Sequence, residues 1–360
     1  MRAMNRRQFL RLAGTGVVSS AGLLVSKQPT WAQKEDVVVI SSWGGAWQDG
    51  LRKAYFEPFT KETGIKVIEN NYGFQGLARL KAQVEAGRVE VDLFDGPPQW
   101  PVIGRRQGIL ERIDTRYFDT ANLVRGAIQE YGFGFSSVSW GITYNTKTFA
   151  RLAPRTWADF WDVKTFSGRR AMFGASIFRH IEYALMADGV PPEQVNPLST
   201  EKVERAFRKL DQIKPHISVW YPGPAQAQQL LADGEVVLAE YTHGRTAVLA
   251  RQGLPLAFEF NQGVFNYATW VLAKGAPNKE NAQKLLGFIS QPNPQADMMR
   301  ASDYGPVNTK AFDLIKDEAF LRLAPTFPDN LKRQVLLDAE WWGENEEKLA
   351  ERWRKWVAAK

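Results

Sequence analysis

The chain of 360 residues contains no cysteine. That excludes thiol nucleophiles, thiolate metal sites, disulfides and a lipid anchor on cysteine, and it suits an exported protein that avoids stray disulfides. Histidine is scarce as well: His180, His216 and His243 are the only three, too few for a His/carboxylate metal site to be expected. The sequence has no His-Glu-x-x-His, no Gly-x-Ser-x-Gly and no phosphate-binding loop, and Gly132-x-Gly134 is too fragmentary for a dinucleotide turn. No metal and no cofactor is expected. A binding protein is therefore the stronger class and a secreted enzyme the weaker one. No apolar stretch suits a membrane span; Leu12 to Val25 is too short and too rich in Gly and Ser.

Positive charge is concentrated at the start. The formal net charge is +7, from 46 basic and 39 acidic residues. Arg2, Arg6, Arg7, Arg11 and Lys27 fall within the first 32 residues, which hold no acidic residue, so the remainder is close to neutral. The apparent basicity gives no ground for a nucleic-acid partner. Residues 1–32 read instead as an export signal. Asn5-Arg6-Arg7-Gln8-Phe9-Leu10-Arg11 is a twin-arginine pattern, an apolar region follows, and Thr30-Trp31-Ala32 offers small side chains for cleavage after Ala32. A periplasmic location follows. The rest of the chain is long enough for a large core and favours two domains.

Aromatic residues are plentiful: 12% of the chain, with 13 tryptophans. They suit a heavy core or a cleft that grips apolar groups. The run Val37–Ile40 ends in Ser41-Ser42-Trp43-Gly44-Gly45-Ala46-Trp47, and helical spacing follows over 48–63, then an apolar strand over 65–68. Strand, turn, helix and strand make a βαβ unit whose ligands sit at the strands' carboxyl ends. A helix over 77–86, a strand over 91–95 and a helix over 100–107 continue the alternation, so an α/β fold with mostly parallel sheets is predicted. Gly132–Ser137 reads as loop and Val138–Asn145 as strand. Helices are predicted over 157–161, 177–188, 200–213, 224–233, 245–252 and 279–290. A strand plus turn is predicted over 169–174, and strands over 236–241 and 264–273. The stretch 330–360 reads as helical and Trp-rich.

Aromatic and polar residues recur at the predicted strand ends: Trp43, Trp47, Asp95, Glu240, Tyr241, His243, Asn266, Tyr267 and Tyr304. Concave sites use such a mixture, aromatic walls for area and a few polar groups for orientation.

Three stretches then carry a resemblance: Phe59-Thr60-Lys61-Glu62-Thr63-Gly64-Ile65-Lys66-Val67; Trp157-Ala158-Asp159-Phe160-Trp161 with Phe166-Ser167-Gly168-Arg169; and Ala250-Arg251-Gln252-Gly253 with 279–288. In this order they resemble the periplasmic solute-binding proteins of ABC importers, in particular the spermidine/putrescine-binding group and its thiamine-, iron- and phosphonate-binding relatives. The resemblance implies a type II fold of two α/β lobes joined by crossover strands, here 138–145 and 264–273. Lobe one would hold 33–140 and 265–305, lobe two 141–264 and 306–360. A monomer would close on a small solute and present it to a membrane permease, with no covalent chemistry.

The resemblance also implies ligand residues. Trp43 matches the first-turn tryptophan and Trp47 its partner; Tyr241 or His243 matches the aromatic after the last lobe-two strand, and Tyr304 a late tyrosine. The carboxylates that hold ammonium groups in polyamine binders are largely replaced. Their positions fall on Ser176 and Arg179 at a helix start and on Asn266-x-Ala268 in the crossover, and a late glutamine falls on Trp342. An ammonium beside an arginine in a dry cleft is disfavoured. Arg179 with Ser176 and backbone N–H groups suits an anion. The expected ligand is a small organic anion or zwitterion with an apolar or aromatic body against Trp43 and Trp47. A polyamine or thiamine-type cation held by Glu240 and Asp95 stays open, as does an iron site on Tyr241, Tyr267 and Tyr304.

Overall fold

The computed structural model describes residues 36–359. The twin-arginine pattern and the cleavage after Ala32 lie outside the described residues.

Ten strands form one sheet: β1 Val37–Ser41, β2 Lys66–Asn70, β3 Leu93–Gly96, β4 Ile128–Gln129, β5 Gly132–Asn145, β6 Arg170–Phe173, β7 Ile217–Tyr221, β8 Leu238–Thr242, β9 Leu256–Leu272 and β10 Val335–Leu336. Their order is β2-β1-β3-β9-β5-β8-β6-β7, with β4 on β5 and β10 on β9. β1, β2 and β3 are parallel to one another, as are β6, β7 and β8. Between the two groups run the long strands β5 and β9, antiparallel from Phe133 opposite Trp270 to Asn145 opposite Leu256. β3 joins this ribbon at Thr269–Leu272 and β8 joins it at Trp140–Tyr144. Each parallel group therefore attaches near a different end of the ribbon.

The ribbon is longer than sequence reading predicts, because Gly132–Ser137 is strand and not loop and because β9 begins at Leu256, eight residues before the predicted 264. Glycine is required there by packing. A Cβ on Gly134 would lie 2.6 Å from Tyr267 Cβ, and one on Gly132 would lie 2.5 Å from Pro101. β7 was unforeseen; its five residues follow Pro215 too closely to show a period. The helix Pro292–Ser302 was also unforeseen, since prolines 292 and 294 sit in its first turn, where proline is tolerated.

The first βαβ unit forms as predicted. Gly44 and Gly45 have φ of 73° and 59°, which glycine adopts without a Cβ penalty. They turn the chain from β1 into a continuous helical run through Gly45–Leu51, a π-helical stretch Arg52–Phe56 and Glu57–Thr63. Its face (Leu51, Tyr55, Phe56, Phe59) packs with Val38, Ile40 and Trp270 in one core. A second core around Trp157, Tyr183, Ile181 and Trp342 belongs to the C-terminal group of strands. Thr156 caps its helix as the sequence indicates: Thr156 Oγ1 accepts from Asp159 N, and Thr156 N donates to Asp159 Oδ2 at 2.9 Å. Among the described residues no helix is long and apolar enough to cross a membrane.

Candidate functional site

In parallel sheets the carboxyl ends of the strands border the ligand crevice. β1 carries Ser42 and Trp43 just past its end, and β3 carries Asp95. Asp95 Oδ2 accepts two hydrogen bonds of 2.7 Å, from Ser42 Oγ and Trp47 Nε1. Asp95 Oδ1 has no partner among the described residues. Burial raises this carboxyl to about 7, against the pull of the hydrogen bonds from Trp47 and Ser42 and of the nearby Trp43 side chain.

Trp47 meets Tyr304 edge to face at 5.1 Å, and Tyr304 meets His243 in the same way at 5.5 Å. His243 is buried and held down to about 4 by desolvation; Ser139 N donates to its Nδ1, and its Nε2 lies 3.0 Å from Asp303 O. It is a neutral packing hub. Arg245, in the first turn of the helix His243–Arg251, is exposed; its Nη1 donates to Gln228 Oε1 at 3.3 Å, and its charge lies near enough to Tyr304 and Tyr241 to pull both phenols down against burial. It pairs with no carboxylate among the described residues.

The ribbon supplies a floor. Strand alternation puts Asp95, Trp270, Ala268 and Asn266 on one face, and Ser136 opposite Ala268 shares it. Asn266 Oδ1 and Ser136 Oγ are buried and, like Asp95 Oδ1, unpartnered among the described residues.

The C-terminal wall is organised differently. Glu240, fully buried on β8, accepts from Phe173 N at 2.9 Å and Tyr183 OH at 3.4 Å. Arg179 Nε stands 3.6 Å from Glu240 Oε1, and the guanidinium lies 3.8 Å over the Trp140 ring. Arg179 has φ of 75° and delays the start of the helix to His180, three residues later than its spacing suggests. The sequence reading offered Arg179 to an anionic ligand and Glu240 as a spare counter-charge; the fold makes each the other's partner. Ser176 Oγ accepts from Phe178 N, and the nearby Glu346 carboxyl is raised by burial against the pull of Gln99, Arg179 and Ser176. Gln99 Nε2 donates to Glu346 Oε2 at 2.7 Å.

The structure thus brings Trp43, Trp47, Asp95, His243 and Tyr304 into one group, and Ser176, Arg179 and Glu240 into another, with Asn266 on the floor. Tyr241 and Tyr267 bury their rings in cores, and their hydroxyls donate to Pro224 O and Arg125 O, on two different segments. Burial raises both phenols, which opposes the phenolate an iron site needs. Sequence reasoning missed Arg245, Ser136, Trp140, Gln99 and Glu346. Two of these left a trace: Gln99 directly follows the strand-end turn Gly96-Pro97-Pro98, and Glu346 lies one helical turn beyond Trp342.

Known proteins share this architecture. Residues 54–324 match the family described as bacterial extracellular solute-binding protein. The chain is 36% identical over 330 residues to the gamma-aminobutyric acid-binding protein of Pseudomonas aeruginosa, covering 91% of this chain and 92% of that protein. An ABC transporter substrate-binding protein from Bradyrhizobium japonicum superposes with a TM-score of 0.82 at 35% identity, over 89% of this chain and 99% of that one. A GABA receptor of solved structure gives 0.81 at 33% identity, over 90% and 98%. Sheet order and these likenesses agree: the chain belongs to the bacterial extracellular solute-binding proteins and is the periplasmic component that takes up solute for an ABC importer.

Proposed function

We propose that the solute is a small zwitterion, an ammonium and a carboxylate on an apolar spacer, with γ-aminobutyric acid the first compound to try. One observation carries this reading: the buried Asp95 carboxylate keeps Oδ1 without a partner beneath Trp47. An ammonium has three donors and no acceptor. Asp95 Oδ1, Asn266 Oδ1 and Ser136 Oγ are three acceptors without donors on one face. Trp43 and Trp47 would flank the spacer. The carboxylate would reach Arg245 and the Tyr304 hydroxyl at the start of a helix, where the dipole favours an anion. A diamine would set its second ammonium against Arg245, at a cost that the nearby Asp303, already paired with Arg251, does not offset. The gamma-aminobutyric acid-binding relative supports the same choice.

In this reading residues 36–140 with 265–305 form one lobe and 141–264 with 306–359 the other. The protein acts as a monomer, closes by hinging on β5 and β9, and offers the closed form to the permease. It turns nothing over, and its export segment is removed after Ala32. Titration calorimetry with a matched series, GABA, putrescine and succinate, tests the ligand. GABA should bind and putrescine should be weaker by about a hundredfold or more. Putrescine binding as tightly as GABA, or succinate alone binding, would overturn the zwitterion.

A further inference from the structure

The helix Ala339–Ala358 is tied to the C-terminal group of strands by three indoles. Trp342 Nε1 donates to Glu182 Oε1 at 2.7 Å, Trp353 Nε1 to Gly174 O at 2.8 Å and Trp356 Nε1 to Asp211 Oδ1 at 2.7 Å. The first turns of the same helix touch the other half of the molecule. Arg105 Nη2 bonds Glu340 at 2.5 Å, Gly343 packs so closely that a Cβ would lie 2.7 Å from Val102 Cβ, and Gln99 Nε2 donates to Glu346 Oε2 at 2.7 Å. Val102 and Arg105 lie on the helix Trp100–Arg106. That helix and Gln99 directly follow the turn that begins at Asp95.

We infer that Glu346 is a positioning residue for the solute site: a clasp that holds Gln99, and with it the Asp95 turn, against Ser176 and Arg179. The inference rests on the two-lobe hinge reading above. Of the two polar contacts across the halves this one is set more deeply. Gln99 is 6% exposed, whereas Arg105 and Glu340 are 42% and 56% exposed in their side chains, and exposed pairs contribute little. The sign of the effect follows from its placement. A bond that joins the halves exists only when they approach, so it favours the closed arrangement with or without solute. Apparent affinity scales with the closed fraction. Glu346 need not touch the solute to set how tightly it is held.

The test uses Glu346→Ala, Gln99→Ala, their double variant and Glu346→Gln. Each is read by GABA titration and by small-angle scattering without ligand. The amide oxygen of Glu346→Gln still accepts from Gln99, so this variant should lose less affinity than Glu346→Ala, about threefold or under, and keep its radius of gyration. Glu346→Ala and Gln99→Ala should each bind about tenfold more weakly, the loss of one hydrogen bond to a charged group. Both should widen the ligand-free particle, and the double variant should be no worse than either single one. If Glu346→Gln loses as much affinity as Glu346→Ala with scattering unchanged, the carboxylate charge contacts the solute directly and the clasp is overturned. Unchanged affinity and scattering in every variant overturns it as well. Should GABA fail to bind at all, the zwitterion reading falls, while the ligand-free scattering still decides the clasp. Gln99→Ala carries the test if Glu346→Ala does not fold.

Discussion

The two walls of the cleft hold opposite kinds of electrostatics. On the N-terminal wall Asp95 is a buried carboxylate with one oxygen unpartnered and no ion-paired cation among the described residues, pushed up to about 7 by desolvation. On the C-terminal wall Arg179 and Glu240 are equally buried but stand as an ion pair at 3.6 Å; Glu240 accepts from Phe173 N and Tyr183 OH and the guanidinium lies over Trp140, although Arg179 Nε makes no hydrogen bond among the described residues. A group left short of a partner holds free energy that only an incoming ligand can recover. A group already paired holds the wall together. On the proposed reading, recognition of charge falls chiefly to Asp95 and structure chiefly to Arg179.

The largest expected effect would come from breaking the paired wall. Arg179→Leu leaves Glu240 buried and uncompensated, and should cost about 3–5 kcal/mol of stability in urea unfolding at neutral pH. Arg179→Leu with Glu240→Leu should recover much of that loss, because neither charge is then stranded. The comparison fails if Arg179→Leu keeps its stability and loses only solute binding; Arg179 would then be a ligand group.

Asp95→Asn should do the reverse. Affinity for an amino solute should fall about a hundredfold, since a charge-assisted bond is replaced by a neutral one, while stability should not fall. The pH dependence has a defined sign. The folded pKa lies above the unfolded one, so the folded protein binds the extra proton, and stability declines as pH rises from the ordinary carboxyl range to about 7. Asp95→Asn removes that decline and should gain melting temperature at pH 8 relative to pH 4. Solute binding needs the ionised carboxylate, so affinity in the unaltered protein should rise through about pH 7 and level off. Calorimetry in buffers of different ionisation heat should detect proton release on binding. A flat profile would remove Asp95 from the site.

Much of the N-terminal wall is legible in the sequence, because its chemistry is local to strand ends. Trp43 and Trp47 sit on a Gly-Gly turn after an apolar run, and Asp95 ends another run before Gly-Pro-Pro. The C-terminal wall is not legible in this way. Arg179 and Glu240 are separated by 61 positions and meet only because β6 and β8 pair in parallel, with Ala171 beside Ala239. Glu346 is further removed still, on a helix whose tryptophans advertise packing and whose carboxylate could pass for surface charge. Tyr241 and Tyr267 show the opposite failure. Position at a strand end made them candidates, but alternation along the strand turned both rings into cores. The fold class followed from periodicity, whereas the ribbon's true length did not, since Gly132 and Gly134 look like turn residues until their packing against Pro101 and Tyr267 is seen.

The smallest effect sharpens the comparison from behind the paired wall. Glu182 is fully buried and raised to about 7 by desolvation, against a single strong hydrogen bond from Trp342 Nε1; its Oε2 is unpartnered among the described residues. Trp342→Phe deletes that donor and keeps an aromatic ring against Phe178. The indole bond favours the charged carboxylate, so its loss raises the folded pKa further. Because that pKa already exceeds the unfolded one, stability falls as pH rises through it, and the variant must fall further than the unaltered protein. Trp342→Phe should therefore lose about 1–2 kcal/mol at pH 8 and less at pH 5, where Glu182 is protonated in both. GABA affinity at either pH should change by less than about twofold, because nothing on the Asp95 wall has moved. A large loss of affinity with unchanged stability would place Trp342 in contact with the solute and dissolve the division of labour between the walls.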